Sequence, residues 1–169
     1  WPDGTYSSGN PDLKPEESDY FSFNITNNSN LGKVTMTATL KEYENLILWQ
    51  PNESFKYIPI NVSSASRTTY NINYLKEFST SQLQISYNIY DSKDNDMNEK
   101  LLYVPDYSAN IFISHNFNQS MNMVFNYKYT GKRILQYGSD SSDQTDSDAY
   151  GLLDLSVSKD FDALKASLI

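Results

Sequence analysis

The amino-acid sequence predicts an all-β chain, a segment of an antiparallel, up-and-down transmembrane β-barrel of about eight strands. Three observations carry this expectation. Apolar and polar residues alternate with period two in one segment after another. Aromatic residues reach 14% although hydrophobic residues make up only 38% and mean hydropathy is -0.60. The connections between the alternating segments are short and long by turns. Successive side chains of a strand point to opposite faces. A wall between lipid and a wet lumen therefore needs apolar residues at alternate positions only, and its average stays hydrophilic.

The alternation defines the elements in order. Phe21, Phe23 and Ile25 alternate with Ser22, Asn24 and Thr26, and Val34, Met36, Ala38 and Leu40 with Thr35, Thr37, Thr39 and Lys41. Tyr70, Ile72 and Tyr74 oppose Asn71 and Asn73, and Leu83, Ile85, Tyr87 and Ile89 oppose Gln82, Gln84, Ser86 and Asn88. Residues 107–116 set Ala109, Ile111 and Ile113 against Asn110, Phe112 and Ser114. In residues 121–130, Met121, Met123, Phe125, Tyr127 and Tyr129 separate almost completely from Asn122, Val124, Asn126, Lys128 and Thr130, a division that a helix would scramble. Leu153, Leu155 and Val157 face away from Asp154, Ser156 and Ser158, and residues 163–169 open an eighth strand.

Composition removes several classes. No run approaches the roughly 20 apolar residues of a membrane-spanning helix. The 14 Tyr and 8 Phe are too many for a disordered polar chain. The first residue is Trp1, with no charged-then-apolar leader, so the chain reads as lacking its beginning. Cysteine is absent, which leaves no disulfide framework or thiolate metal site. A formal charge of -8 argues against a nucleic-acid partner, because such binding draws on Lys and Arg set against phosphates.

Short connections are expected near residues 28–32, 77–80, 117–120 and 159–162, and long ones over roughly 44–57, 91–101 and 131–149. Outer-membrane barrels have short periplasmic turns and longer extracellular loops, so the long connections are placed outside the cell. Tyr127, Tyr129, Tyr87 and Phe21 then fall toward the outer rim, and Phe117 and Phe161 beside periplasmic turns, as interfacial aromatic girdles require. Two rival architectures share the alternation. One is a complete, small eight-stranded barrel with a structural or adhesive role. The other is a soluble carbohydrate-binding β-sandwich, which gives no reason for short and long connections to alternate.

Gly9-Asn10-Pro11-Asp12-Leu13-Lys14-Pro15-Glu16-Glu17-Ser18 resembles the GNP-x-LKPE-x-S segment that leads into a descending barrel strand of TonB-dependent receptors. Its motif positions are Asn10, Pro11, Leu13, Lys14, Pro15 and Glu16. Pro11 and Pro15 stiffen an extended lead-in, where proline removes no ladder hydrogen bond. Tyr150 to Lys159 is similar to the family's late-strand pattern Y-x-LLDLSVSK, and Val104-Pro105 and Tyr127 to Arg133 match the family's order. Asn45 to Pro51 followed by Tyr57 to Val62 is similar to cobalamin-type and siderophore-type members, whereas Thr68-Thr69-Tyr70 departs from the Gly-Val-Glu step of many relatives. The resemblance implies a piece of the C-terminal part of a barrel of about 22 strands, the large plugged class, in the bacterial outer membrane. It implies a partner plug domain, TonB, outer-membrane lipid, and uptake of an extracellular metal chelate (siderophore) or cobalamin-like ligand. The plug, TonB box and closing strands lie outside residues 1–169 on this reading.

Candidate binding residues follow. Trp49 and Tyr57 flank a long outer loop, and aromatic rings supply contact area to large, partly apolar chelates. Asp91, Asp94 and Asp96 gather carboxylates in the next outer loop. Asp140, Asp143, Asp146 and Asp148 offer oxygen ligands for weak Ca²⁺ binding, although neither acidic loop has the EF-hand pattern of ligands, central Gly and terminal Glu. Asn71, Asn73, Gln82, Gln84, Asn110, Asn122 and Asn126 face a lumen, where they meet water, a plug or a passing substrate. His115 is the one histidine and reads as a rim residue; without a second His or a Cys, neither a catalytic triad nor a zinc site is expected. The chain is therefore read as a non-enzyme without a cofactor.

Overall fold

A computed structural model describes residues 7–52, 54, 56–136, 144–161 and, by backbone alone, 164–168. Among the described residues ten strands follow one another: β1 (Glu17–Ser29), β2 (Gly32–Pro51), β3 (Tyr57–Glu77), β4 (Ser81–Asp94), β5 (Tyr107–Asn118), β6 (Met121–Thr130), β7 (Arg133–Gln136), β8 (Thr145–Ser147), β9 (Tyr150–Phe161) and β10 (Leu164–Leu168). Eight of them form one sheet in the order β1-β2-β3-β4-β5-β6-β9-β10, and β7 and β8 pair separately. Every pairing between these strands is antiparallel, and an isolated parallel bridge joins Ser7 to Tyr57. The sheet is thus the up-and-down wall that the alternation predicts. It is one continuous layer rather than the two packed sheets of a sandwich, and β1 and β10 stand at opposite edges rather than pairing as in a small closed barrel.

Register carries each strand's alternation into its neighbour. One row runs Ile25, Met36, Ile72, Tyr87, Ala109, Tyr129, Gly151, and the next runs Val34, Tyr74, Ile85, Ile111, Tyr127, Leu153. These rows and the parallel rows above them make one face apolar, and many of its large side chains stay exposed, Phe21, Phe23, Ile25, Tyr70, Ile72 and Leu153 among them. A wide apolar face left bare on a water-soluble fold would drive association; against lipid it is the favourable arrangement. The other face is a polar ladder. Asn71 donates to Asn88 Oδ1 at 2.8 Å, Asn88 donates to Ser108 Oγ at 3.1 Å, and Gln84 donates to Asn73 Oδ1 at 3.3 Å. These amides answer one another across the strands, so this part of the polar surface is ordered before any plug or solute meets it, whereas the buried Oδ1 of Asn110 on the same face has no partner.

Short turns close one rim. In the turn after β1, Ser29 Oγ accepts from Leu31 N and donates to Gly32 O, both at 3.2 Å, and Gly32 takes φ 133, open to glycine. In the turn after β5, Asn118 Oδ1 accepts from Ser120 N at 2.9 Å, the side-chain-to-backbone bond that makes Asn a turn residue.

The opposite rim corrects the sequence reading. Residues 44–57 are not a loop: β2 continues to Pro51 and β3 begins at Tyr57, leaving a tight connection. A strand of 20 residues spans about 65 Å, against the apolar band about 25 Å tall of a membrane barrel, so the β2–β3 hairpin extends well beyond the length such a band needs. β4 likewise extends to Asp94, and the connection over 131–149 contains the β7–β8 ribbon. The buried core sits in this projecting region rather than under the sheet. Tyr43, Leu46, Val62, Ala65 and Leu101 form it, with Leu48 and Val104 packed against it. Tyr43 and Leu46 would face opposite ways in a regular strand; Asn45, at φ 54, lies between them and brings both into one cluster.

Candidate functional site

The hairpin tip presents an aromatic surface. Trp49 pairs with Pro59 and Pro51 with Tyr57, so by period two these four residues share one face and Trp49 and Tyr57 are diagonal neighbours. The loop after β4 adds Tyr103, whose hydroxyl donates to Trp49 O at 3.1 Å. Burial, and then the neighbouring phenol of Tyr57, raise the Tyr103 hydroxyl above its ordinary value of 10.0, so it remains a neutral donor at physiological pH. All three rings keep part of their surface exposed. The arrangement offers aromatic area with phenolic hydroxyls at its margin, suited to a large, flat or chelated ligand.

This surface is held from both sides. The segment preceding β1 runs beside β3: Ser8 N donates to Tyr57 O at 3.1 Å, and Asn10 Nδ2 donates to Pro59 O at 3.0 Å. Asn10 Oδ1 also accepts from Asp12 N at 3.0 Å, forming an Asx turn across Pro11. Farther along, Lys14 is bound to Asn61, and Glu16 Oε2 accepts from Ile47 N at 3.1 Å. Asn10, Lys14 and Glu16 thus tie the lead-in to the hairpin, while Pro11, Leu13 and Pro15 set its course. The lead-in is turned at Pro11-Asp12 rather than extended throughout.

The loop between β4 and β5 closes the other side. Asp94, only 1% exposed, accepts from the backbone N–H groups of Asp96 and Met97 at 2.9 and 3.0 Å. Asn95 is bound to Ser64, Asp96 meets Ser63 Oγ, and Lys100 forms an ion pair with Asp106 at 2.6 Å. Tyr103 N reaches Ile134 O at 2.8 Å, joining the loop to the β7–β8 ribbon. A cavity of about 300 Å³ under that ribbon is lined by Lys100, Asp106, Lys132, Arg133, Ile134 and Asp146 among others.

The structure therefore brings Trp49 and Tyr57 together and separates the three loop carboxylates. Asp91 pairs with Thr68 and is exposed on the apolar side, Asp94 is inward and occupied by its turn, and Asp96 lies beyond the strand. Asp140 and Asp143 lie outside the described residues. Asp146 accepts from Gln144, and Asp148 pairs with Lys132 at 3.7 Å. Among the described residues, no group of three or more His, Asp or Glu side chains is placed to hold a metal ion. His115 lies at the turn rim, where Ser81 Oγ is 2.7 Å from its Nδ1. Tyr103, which the sequence reading did not name, is added to this surface by the structure. The apolar run Leu101-Leu102-Tyr103-Val104 inside a polar loop was the available signal.

Residues 2–168 match the profile of the family described as TonB dependent receptor-like, beta-barrel. The chain belongs to this family of TonB-dependent receptors. Over 165 residues the receptor chain is 31% identical to the vitamin B12 transporter BtuB of Photobacterium profundum, covering 94% of this chain and 25% of that protein. Among solved structures it superposes on the siderophore receptor PirA of Acinetobacter baumannii with a TM-score of 0.69 at 16% identity, covering 89% of this chain and 26% of that one. It superposes on the copper transporter OprC with a TM-score of 0.69 at 14% identity, covering 92% and 25%. These structural likenesses establish the fold. The receptor chain spans about a quarter of the length of the curated relative it matches. Members of this family reside in the bacterial outer membrane, which fixes the apolar face toward lipid, the polar face toward the lumen, and the short turns toward the periplasm.

Proposed function

We propose that this chain is a stretch of wall, with three outer connections, of a 22-stranded receptor that captures a siderophore-type metal chelate or a cobalamin-like ligand. Uptake then proceeds through the lumen when TonB acts on the receptor's own plug domain. The observation that carries the reading is the surface of Trp49, Tyr57 and Tyr103, buttressed on both sides above the apolar rows of the sheet. A soft, greasy loop would need to order itself on binding, whereas this one is already held by the Asn61 and Asp94 contacts, which lowers the entropic cost of capture. The relation to a vitamin B12 transporter and a siderophore receptor supports the two ligand classes. No bond-breaking chemistry is assigned to the chain.

The test uses the full-length gene product in detergent, titrated separately with ferric catecholate, ferric hydroxamate and cyanocobalamin while tryptophan fluorescence is followed. One of these probes is expected to saturate the receptor, and W49A or Y57A to weaken it by about 1–3 kcal/mol, the range for losing an aromatic anchor. If no probe binds the intact receptor, the ligand assignment fails. If one binds and neither variant weakens it, the aromatic surface is not the capture site.

A further inference from the structure

Three of the four descending strands of the main sheet end alike. Lys76-Glu77 ends β3 with Phe78 next in the chain, His115-Asn116-Phe117 comes just before the last residue of β5, and Lys159-Asp160-Phe161 closes β9. Each is a basic residue, a polar residue and a phenylalanine. Register sets the basic members on the lipid-facing side, with Lys76 opposite Leu83, His115 opposite Met123 and Lys159 opposite Met121. The phenylalanines keep that side: Lys76 Nζ lies 5.7 Å from the Phe78 centroid, Lys159 Nζ lies 4.9 Å from that of Phe161, and the His115 ring meets Phe117 edge-on at 4.6 Å. Alternation turns Glu77, Asn116 and Asp160 the other way.

The three rings are 51–57% exposed, although they sit at turns where a polar residue would cost nothing. Such rings belong at the boundary between acyl chains and headgroups. The loop rim is mainly acidic on the same face: Glu17, Asp19, Glu42, Glu44 and Asp91 stand above the apolar rows, with Lys93 as a cation among them, and Glu17 is paired to Glu44 and Asp19 to Glu42. The lipid-facing surface is thus polarised, basic and aromatic toward the periplasm and mainly acidic toward the exterior.

We propose that the three basic-x-Phe steps are a row of binding positions for anionic phospholipids of the periplasmic leaflet. At each step the Lys ammonium or the His N–H meets a headgroup phosphate, the phenylalanine lies beside the glycerol region, and the apolar rows take the acyl chains. Successive steps are two strands apart, about 10 Å, close to the width of one phospholipid, so each step serves its own lipid. Ser81, at 2.7 Å from Nδ1, orients the imidazole. The ammonium of Lys76 also donates to Asn30 O, which directs it along the rim and leaves further N–H groups for phosphate.

The experiment uses the full-length receptor in mild detergent, equilibrated with equal phosphatidylglycerol and phosphatidylcholine, with retained lipids counted by native mass spectrometry. Phosphatidylglycerol is expected to be retained preferentially, and K76Q/H115Q/K159Q to lower that preference by about fivefold for each lysine removed. K33Q is expected to leave it unchanged, because Lys33 lies at the same rim on the lumen-facing side. Unchanged preference in the triple variant, or an equal loss in K33Q, overturns the proposal. Displacement of the lipid by excess inorganic phosphate also overturns it, since the rim would then be a phosphate site without lipid selectivity. Should the triple variant not reach the heat-modifiable folded form, K159Q alone decides: a partial loss supports the row and no loss overturns it.

Discussion

The side-chain amide of Asn61 pairs with the backbone of Lys14 in both directions, accepting from Lys14 N at 2.8 Å and donating to Lys14 O at 3.1 Å. The same Nδ2 donates to Asn45 O at 2.7 Å, at the residue whose positive φ bends β2. One side chain on β3 therefore ties the lead-in to the bend of the neighbouring strand. N61A is expected to loosen the lead-in by about 1 kcal/mol, the net worth of a hydrogen-bond pair that water can partly replace. Hydrogen exchange at the Lys14 amide should quicken roughly fivefold, the factor that corresponds to that energy. N61D keeps the acceptor and loses both donations, so its Lys14 amide should stay partly protected. Equal exchange in all three proteins would show that the lead-in is held by something else.

The membrane-facing part of this fold was legible in the sequence because lipid and lumen impose a strict period of two. Phe21, Phe23 and Ile25 could only be explained by a strand with one apolar face, and the register bears that out. The projecting part was not legible for the same reason. Leu46-Ile47-Leu48-Trp49 has no alternation, since above the bilayer the hairpin packs against a loop and a lead-in rather than dividing lipid from water. Asp94 illustrates the consequence. Read as one carboxylate of an exposed loop, it is the inward-facing last residue of β4, and continuing the strand by three residues past Asp91 reverses which side its carboxylate takes. Trp49 and Tyr57 were named from aromatic type and their place beside a supposed loop, and the fold sets them together at a hairpin tip; Tyr103 joins them only through the docking of the 95–106 loop.

Gly32 takes φ 133, and a Cβ built there would lie 2.7 Å from Leu75 O and 2.7 Å from a ring carbon of Tyr74. G32A should therefore strain both the turn and the start of the β2–β3 ladder. Denaturant unfolding in detergent is expected to show a loss of roughly 1–3 kcal/mol, the range for a residue forced into a sparsely populated backbone region. Gly9 is the matched control, because a Cβ there meets nothing within 4 Å. If G32A and G9A unfold alike, the turn tolerates a side chain and the argument from backbone geometry is wrong.

Tyr103 links the aromatic surface to alkaline pH. Its folded pKa is raised above 10.0 by burial first and by Tyr57 second. Below pH 10 the phenol is protonated whether or not the loop is docked, so its contribution is fully present. As pH climbs past 10 the undocked phenol ionises first, and the contribution declines until the docked phenol ionises too. Limited proteolysis of the 95–106 loop should accordingly accelerate above pH 10 in the wild-type receptor. Y103F lacks the hydrogen bond to Trp49 O and has no proton to lose there. It should be cut faster than wild type at neutral pH, yet show a smaller alkaline rise. Parallel pH profiles for the two proteins would remove Tyr103 from the docking of this loop.

Leu101 separates the stability of the loop from that of the wall. It is buried with Tyr43, Leu46, Val62 and Ala65 in a core that lies wholly above the apolar rows. Truncating a buried Leu to Ala costs about 2–5 kcal/mol where the surroundings cannot collapse. A core this small cannot absorb such a loss, whereas the wall below is held by its own ladders. L101A is therefore expected to free residues 95–106 to proteolysis while the heat-modifiable barrel band is unchanged, since local opening and global unfolding draw on different contacts. Tyr103 would leave Trp49 with the rest of the loop, so ligand capture at the aromatic surface should weaken in the same variant. Leu40, exposed among the lipid-facing rows, gives the contrast: L40A should leave both the loop and the ligand response as they are. If L101A lowered the heat-modification temperature as much as it opened the loop, the two regions would be one cooperative unit and the projecting hairpin part of the barrel's own stability.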